Sequence, residues 1–321
     1  MARRKSTRGS KIQPAVQTLT FATPGSGAAS VYIDLSQAAS LANRRFYRQG
    51  INWAVAGIKV ISLQPGSVNC FKLPNTWIMS NAWEKGFRHW HKQQLEAVSS
   101  SSDGVMAKFN DFKVHMDAAH HTAGFSSNLL PIAPFGSPTV AGEWEASQIV
   151  IPNFGGTNNN IEPYVVAVGS ADLSVDPTKF SLVEAYANSR SVPQSPDPSV
   201  PLGVTGDDNI YRQMFDVGND DDVIVDNAVG KNDELPYPQN DYPGGANQMS
   251  GVQWHDSVQI YSSSGVAAAG VGTQRVKGGN FPCGLIRLDW TPDEQSANLI
   301  IQVDLVPGGH RGYLCEPMTE M

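Results

Sequence analysis

Three cysteines are all that the 321 residues carry. Cys70, Cys283 and Cys315 are odd in number and far apart, so neither a disulfide framework nor a CxxC metal spacing is legible, and three reduced thiols are expected. No apolar run reaches the length of a bilayer, which argues against membrane insertion. The basic start runs into Ser, Gln and Pro where a signal peptide would place an apolar stretch, and Gly9 and Pro14 spoil the helix that a mitochondrial presequence needs. There is no GxSxG elbow, P-loop, HExxH or dinucleotide fingerprint, and no repeat period. The expectation is a protein that is not an enzyme and holds no cofactor.

Acid is missing from one end only. The first eleven residues hold Arg3, Arg4, Lys5, Arg8 and Lys11 and no carboxylate. Like charges on a segment with nothing apolar to bury predict a disordered arm over residues 1–16. Cations there can displace condensed counterions from a polyanion. Residues 1–113 contain fifteen Lys/Arg and five Asp/Glu, whereas residues 114–321 contain eight and twenty-five, so the chain is electrically polar although its net charge is only −7.

Thirty glycines and twenty-one prolines favour turns and short strands over long helices. Strands are expected at Gln17 to Ala22, Val31 to Leu35 and Ile51 to Gln64, the last apolar on both faces and so either central or passing between layers. Ser67 to Leu73, across a Pro-Gly turn, reads as its antiparallel neighbour. Between them, Asp34 or Ser36 can N-cap a short helix through Gln37 to Tyr47 that carries Arg44, Arg45 and Arg48 on its last turn, a second basic patch beside the arm. Asn81 to Val98 is the one convincing helix, with Trp83, Phe87 and Trp90 on one stripe. Phe112 to Met116 alternates like a half-exposed strand, and Ser147 to Ile151, Tyr164 to Val168, Phe180 to Tyr186, Gln253 to Tyr261, Gly284 to Trp290 and Leu299 to Val306 read as further strands. Residues 190–250, rich in proline and acid, read as a surface loop or insertion. That cluster of carboxylates lacks the spacing of a calcium loop.

His89-Trp90-His91 with Glu96 has the HxHx4E spacing that resembles the first metal motif of cupins. On a helix, however, residues two apart point about 200° away from each other, so no shared metal is expected. His120 and His121 have no partner at a metal-binding spacing.

Several stretches resemble the capsid proteins of Rep-encoding circular single-stranded DNA (CRESS-DNA) viruses. They are Asn43-Arg-Arg-Phe-Tyr-Arg-Gln-Gly50, Pro74-Asn-Thr-Trp77, Asn232-Asp-Glu-Leu-Pro-Tyr237, Tyr242-Pro-Gly-Gly245 and Val303-Asp-Leu-Val-Pro-Gly-Gly-His-Arg-Gly312. The resemblance implies an all-β fold, a single jelly-roll domain over residues 17–310 with one or two short helices, then a tail over 311–321. It further implies a homo-oligomeric icosahedral shell of about 60 subunits, a single-stranded DNA genome packaged by the basic arm, an unidentified host receptor, and a location in the virion and the host nucleus. The alternative is a β-sandwich carbohydrate-binding or hydrolytic protein with an incidental basic tail. A nucleic-acid-binding protein acting as a monomer is a third reading, against which the sequence shows no interleaved surface aromatics of the kind that stack on bases.

Overall fold

The computed structural model describes residues 15–24, 29–100, 109–133, 136–137, 139–156, 158–190, 251–261, 271–293 and 298–321. The arm cations Arg3, Arg4, Lys5, Arg8 and Lys11 and almost all of the 190–250 segment lie outside them.

The chain opens with β1 (Thr18–Ala22) and β2 (Ala29–Asp34), and the two belong to different sheets. One sheet joins β1 to β10 (Leu299–Leu305) and β10 to β3 (Ile51–Ser62), with β8 (Gly272–Phe281) and β13 (Cys315–Pro317) also paired to β3. The other runs β2, β9 (Leu285–Pro292), β4 (Gly66–Lys72), β7 (Gln253–Ile260). All of these pairs are antiparallel. Both sheets send side chains into one core: Phe21, Ile58 and Ile301 from the first meet Ile33, Val68 and Leu288 from the second. Burying each such side chain contributes about 1.5–3 kcal/mol, which makes this core the main stabilising element of that half.

The Pro-Gly turn does not join neighbours: β3 lies in one sheet and β4 in the other. The double-faced apolar pattern of β3 has a related cause. Its pairing with β10 shifts register between Asp304 and Leu305, so Val55 opposes Leu305 while Gly57 opposes Asp304 and Ala56 is left over. This bulge changes which residues face inward, from Trp53 and Val55 before it to Ile58 and Val60 after it.

A second, helical layer carries its own core. The helix α2 (Trp77–Ser100) is 24 residues long. Its Ile78, Met79, Ala82, Trp83 and Trp90 pack with Phe112, Val114, Val165 and Leu182. The helices α1 (Leu35–Asn43), α3 (Ala118–Ala123) and α4 (Leu182–Arg190) complete the helical set among the described residues. The short parallel pair β5 (Tyr164–Val166) and β6 (Lys179–Ser181) and the antiparallel pair β11 (Pro307–Gly308) and β12 (Gly312–Tyr313) add two small sheets.

The expectation of a single all-β jelly roll with one or two short helices is therefore corrected. The fold is mixed α/β, with four helices and four separate sheets among the described residues. Apolar residues that were read as strand form helix instead: Phe180 to Tyr186 divides into β6 and the first turns of α4. Residues 112–116 are buried throughout and not half-exposed, because α2 covers one side while the peptide groups of His115 bond to the backbone at Val165 and Ala167.

Candidate functional site

The three arginines that follow α1 do not stand on its last turn. Asp34 caps the helix by accepting from the N–H groups of Ser36 (2.9 Å) and Gln37 (3.2 Å). The helix then stops at Arg44, which takes a left-handed conformation at φ 54° and donates its N–H to the carbonyl of Ser40. The chain reverses there, and residues 44–50 form a loop pinned from below. Tyr47 is fully buried; its hydroxyl donates to the Arg311 carbonyl (3.1 Å) and its ring packs with Trp53 and Tyr313. Gln49 is also fully buried and ties the loop to the extended segment 111–114: its side chain donates to Asp34 Oδ2 (3.0 Å) and accepts from the Val114 N–H (2.6 Å), while its own N–H donates to Asp111 (3.0 Å).

What this anchoring presents is a cleft of about 900 Å³. Arg44, Arg45, Arg48 and Arg311 line it, with Phe46 and Phe109 on its apolar side. Arg311 comes from the turn between β11 and β12, where its own φ is 51°, and its guanidinium donates to the Phe46 carbonyl. Arg48 donates to the Asn110 carbonyl (2.7 Å), lies 3.5 Å from the Asp111 carboxylate, and sits 5.7 Å from the Phe46 ring centre. Among the described residues Asp111 is the one Asp or Glu lining the cleft, set against four guanidinium groups, so the field these residues set up there is positive. Burial pushes the Asp111 carboxyl above its ordinary range, while the Gln49 N–H and the nearby Lys113 and Arg48 charges oppose that shift. His310 also lines the cleft, and burial together with Arg311 pushes its pKa down, so it stands there as a neutral group.

The aromatic side of the cleft continues past its rim. Phe109, 61% exposed, meets Phe46 edge-on at 5.3 Å between ring centres, and Phe46 meets Trp144 at 6.3 Å. Lys113 lies over the Trp144 ring at 4.8 Å. Rings and cations thus alternate along one strip: Phe109, Phe46 with Arg48, then Trp144 with Lys113. Its members come from positions 46, 109 and 144, so no local spacing exposes it; the sequence signal was the Arg-Arg-Phe-Tyr-Arg run alone. Arg311, inside the His-Arg-Gly stretch, and the ring at Phe109 were missed for the same reason.

The two histidines of the HxHx4E motif do point apart on α2. His91 lines the arginine cleft, whereas His89 lines an apolar groove between α2 and α4. Among the described residues no group of three or more His, Cys, Asp or Glu side chains is placed to hold a metal ion. Cys70, Cys283 and Cys315 are free thiols, each pushed up in pKa by burial. Among the described residues no helix is long and apolar enough to cross a membrane.

Comparisons with protein-family models, with curated proteins and with solved structures return no match. The resemblance to CRESS-DNA capsid proteins is accordingly withdrawn. No family model supports it, and the mixed α/β architecture departs from the single all-β jelly roll it implied. The capsid function fell with that fold, and so did the β-sandwich carbohydrate-binding or hydrolytic alternative, which required the same all-β architecture.

Proposed function

We propose that this protein binds single-stranded nucleic acid, without catalysing a reaction on it, in the arginine cleft. The observation that carries the reading is the placing of four guanidinium groups beside the exposed Phe109 ring and the half-buried Phe46 ring in one cleft. Guanidinium groups neutralise phosphates, and each contact releases condensed counterions. Aromatic faces stack on bases, which a duplex hides and a single strand offers. The basic arm, with Arg3, Arg4, Lys5, Arg8 and Lys11, supplies further phosphate contacts that do not depend on the cleft's shape. Phosphate contacts position a strand but carry no base information, so the cleft by itself binds with little regard to sequence.

The test is a fluorescence-anisotropy titration of a labelled single strand and of its duplex against the full chain and Phe109→Ala. Stacking on an aromatic ring is worth about 1–3 kcal/mol per base, so the substitution weakens single-strand binding roughly 5- to 150-fold and leaves duplex binding nearly unchanged. Duplex bound as tightly as single strand, or a Phe109→Ala protein equal to the parent, would overturn the reading.

A further inference from the structure

Trp144 belongs to two places at once. One side of its environment is the Phe46 ring of the basic strip, and the other is a pocket of about 470 Å³ that it lines together with His115, His121, Phe125, Gln148 and Tyr164. His115 is the unusual member. It is 4% exposed, its Nδ1 is buried without a hydrogen-bond partner, and its imidazole makes ring contacts only: with Phe125 at 4.3 Å, His120 at 5.0 Å, His121 at 5.3 Å and Tyr164 at 6.1 Å. An unsatisfied buried polar group costs about 1–3 kcal/mol, so a partner that bonded to it would recover that cost. Its neighbour His120 has no such spare capacity, because its Nδ1 accepts from the Met116 N–H (3.0 Å) and its Nε2 pairs with Asn128 Oδ1 (2.8 Å).

We propose that this pocket takes one purine base of a strand whose backbone lies in the arginine cleft. The inference rests on the single-strand reading and goes beyond it, by giving the protein a base preference that the cleft lacks. Three features fit the occupant. The walls are planar rings, which suit a planar heterocycle, and a purine covers more of them than a pyrimidine does. The two imidazoles are uncharged: burial pushes His115 down to about 3 and lowers His121 as well, so each stays neutral and keeps hydrogen-bonding capacity for an uncharged base edge. The one ionisable carboxylate on the lining, Glu145, is exposed and disfavours an anion, so the phosphates remain in the cleft while the base enters. Trp144 joins the two sites, at 6.3 Å from Phe46.

The experiment uses the full chain and a strand of about 12 nucleotides, within the usual site size, made abasic throughout except for one central position. That position carries adenine, thymine or no base. The parent binds the adenine strand about 10-fold more tightly than the wholly abasic one, with thymine between them. His115→Phe, which keeps a ring but removes both nitrogens, and His121→Ala erase that gain and leave the affinity for the wholly abasic strand unchanged. The thermal midpoint of His115→Phe is unchanged or higher, because an unsatisfied group has gone. Equal binding of adenine and abasic strands by the parent would overturn the pocket and leave the cleft's phosphate contacts standing. An adenine gain that survives both substitutions would equally remove the base from this pocket. No binding of the wholly abasic strand would overturn the phosphate contacts of the cleft, and the pocket that depends on them.

Discussion

Arg44 holds a left-handed backbone conformation that costs a residue with a Cβ about 1–2 kcal/mol and glycine almost nothing. An arginine at this C-terminal cap is explained by its exposed side chain, which lines the cleft, and not by the turn it makes. Arg44→Gly should therefore separate stability from binding. Chemical denaturation should show it equal to the parent or up to about 1 kcal/mol more stable, after allowing for the greater freedom of glycine in the unfolded chain. Its affinity for a single strand should fall nonetheless; a variant that binds as well as the parent would remove Arg44 from the site. Asp34 shows the opposite arrangement, a buried charge that serves the fold. Its carboxylate accepts from Ser36, Gln37, Gln49 and Trp144, yet burial outweighs those donors and raises its pKa from 3.8 to about 6. The folded protein thus holds this proton more tightly than the unfolded chain does. The resulting stabilisation is complete below about pH 4 and is lost as pH rises through about 6, by roughly 3 kcal/mol at 1.36 kcal/mol per unit. Asp34→Asn loses acceptors for Gln49 and Trp144 and should be less stable throughout, but the gap between it and the parent should narrow by about that amount from pH 4 to pH 7. A gap that stays constant across this range would show that Asp34 does not titrate there.

At the scale of elements, the loop 44–50 owes its position to packing against α2 as much as to its hydrogen bonds. A Cβ added at Gly50 would lie 2.3 Å from the Trp83 ring, and Trp83 is only 7% exposed with no room to withdraw cheaply. Gly50→Ala should cost about 1–3 kcal/mol by overpacking, read as a lowered denaturation midpoint; an unchanged midpoint would mean that the loop floats free of the helix. Elements that bury one face were legible in the sequence: β1, β9 and β10 declare themselves by alternation, and α2 by its tryptophan stripe, while β2 and β7 were legible as short apolar runs between turns. The strand β8 was not, because Arg275, Lys277 and three glycines mask Val276 and Phe281; of those glycines Gly278 serves close approach to β3, whereas Gly272 and Gly279 face Ile260 and His255 of β7. At α4, Leu182, Val183 and Tyr186 suit a strand as well as a helix, and the choice is made by the surface of α2, where Gly86 lets Leu182 approach. The arginines after α1 were legible as a cluster but not as a cleft. The cleft needs Arg311 and Phe109, which only the folded chain brings beside them.

For the whole molecule, the sequence asymmetry of a basic first third and an acidic remainder has one exception that matters. Arg311 comes from the acidic part and joins the cations of residues 44–48. A charge recruited against the local trend in this way argues that the cleft's positive field, and not the average charge of a chain with net −7, governs what binds there. The most direct measurement is the salt dependence of single-strand affinity for the full chain and for the Arg44→Ala/Arg48→Ala/Arg311→Ala variant. Each phosphate contact contributes a slope of about −0.7 in log affinity against log salt. The arm is common to both proteins, so its contribution cancels in the comparison. The variant should bind more weakly at low salt, with a slope shallower than the parent's by about 2. Two proteins with the same affinity and the same slope would contradict it, and would leave the arginine cleft without a role in binding.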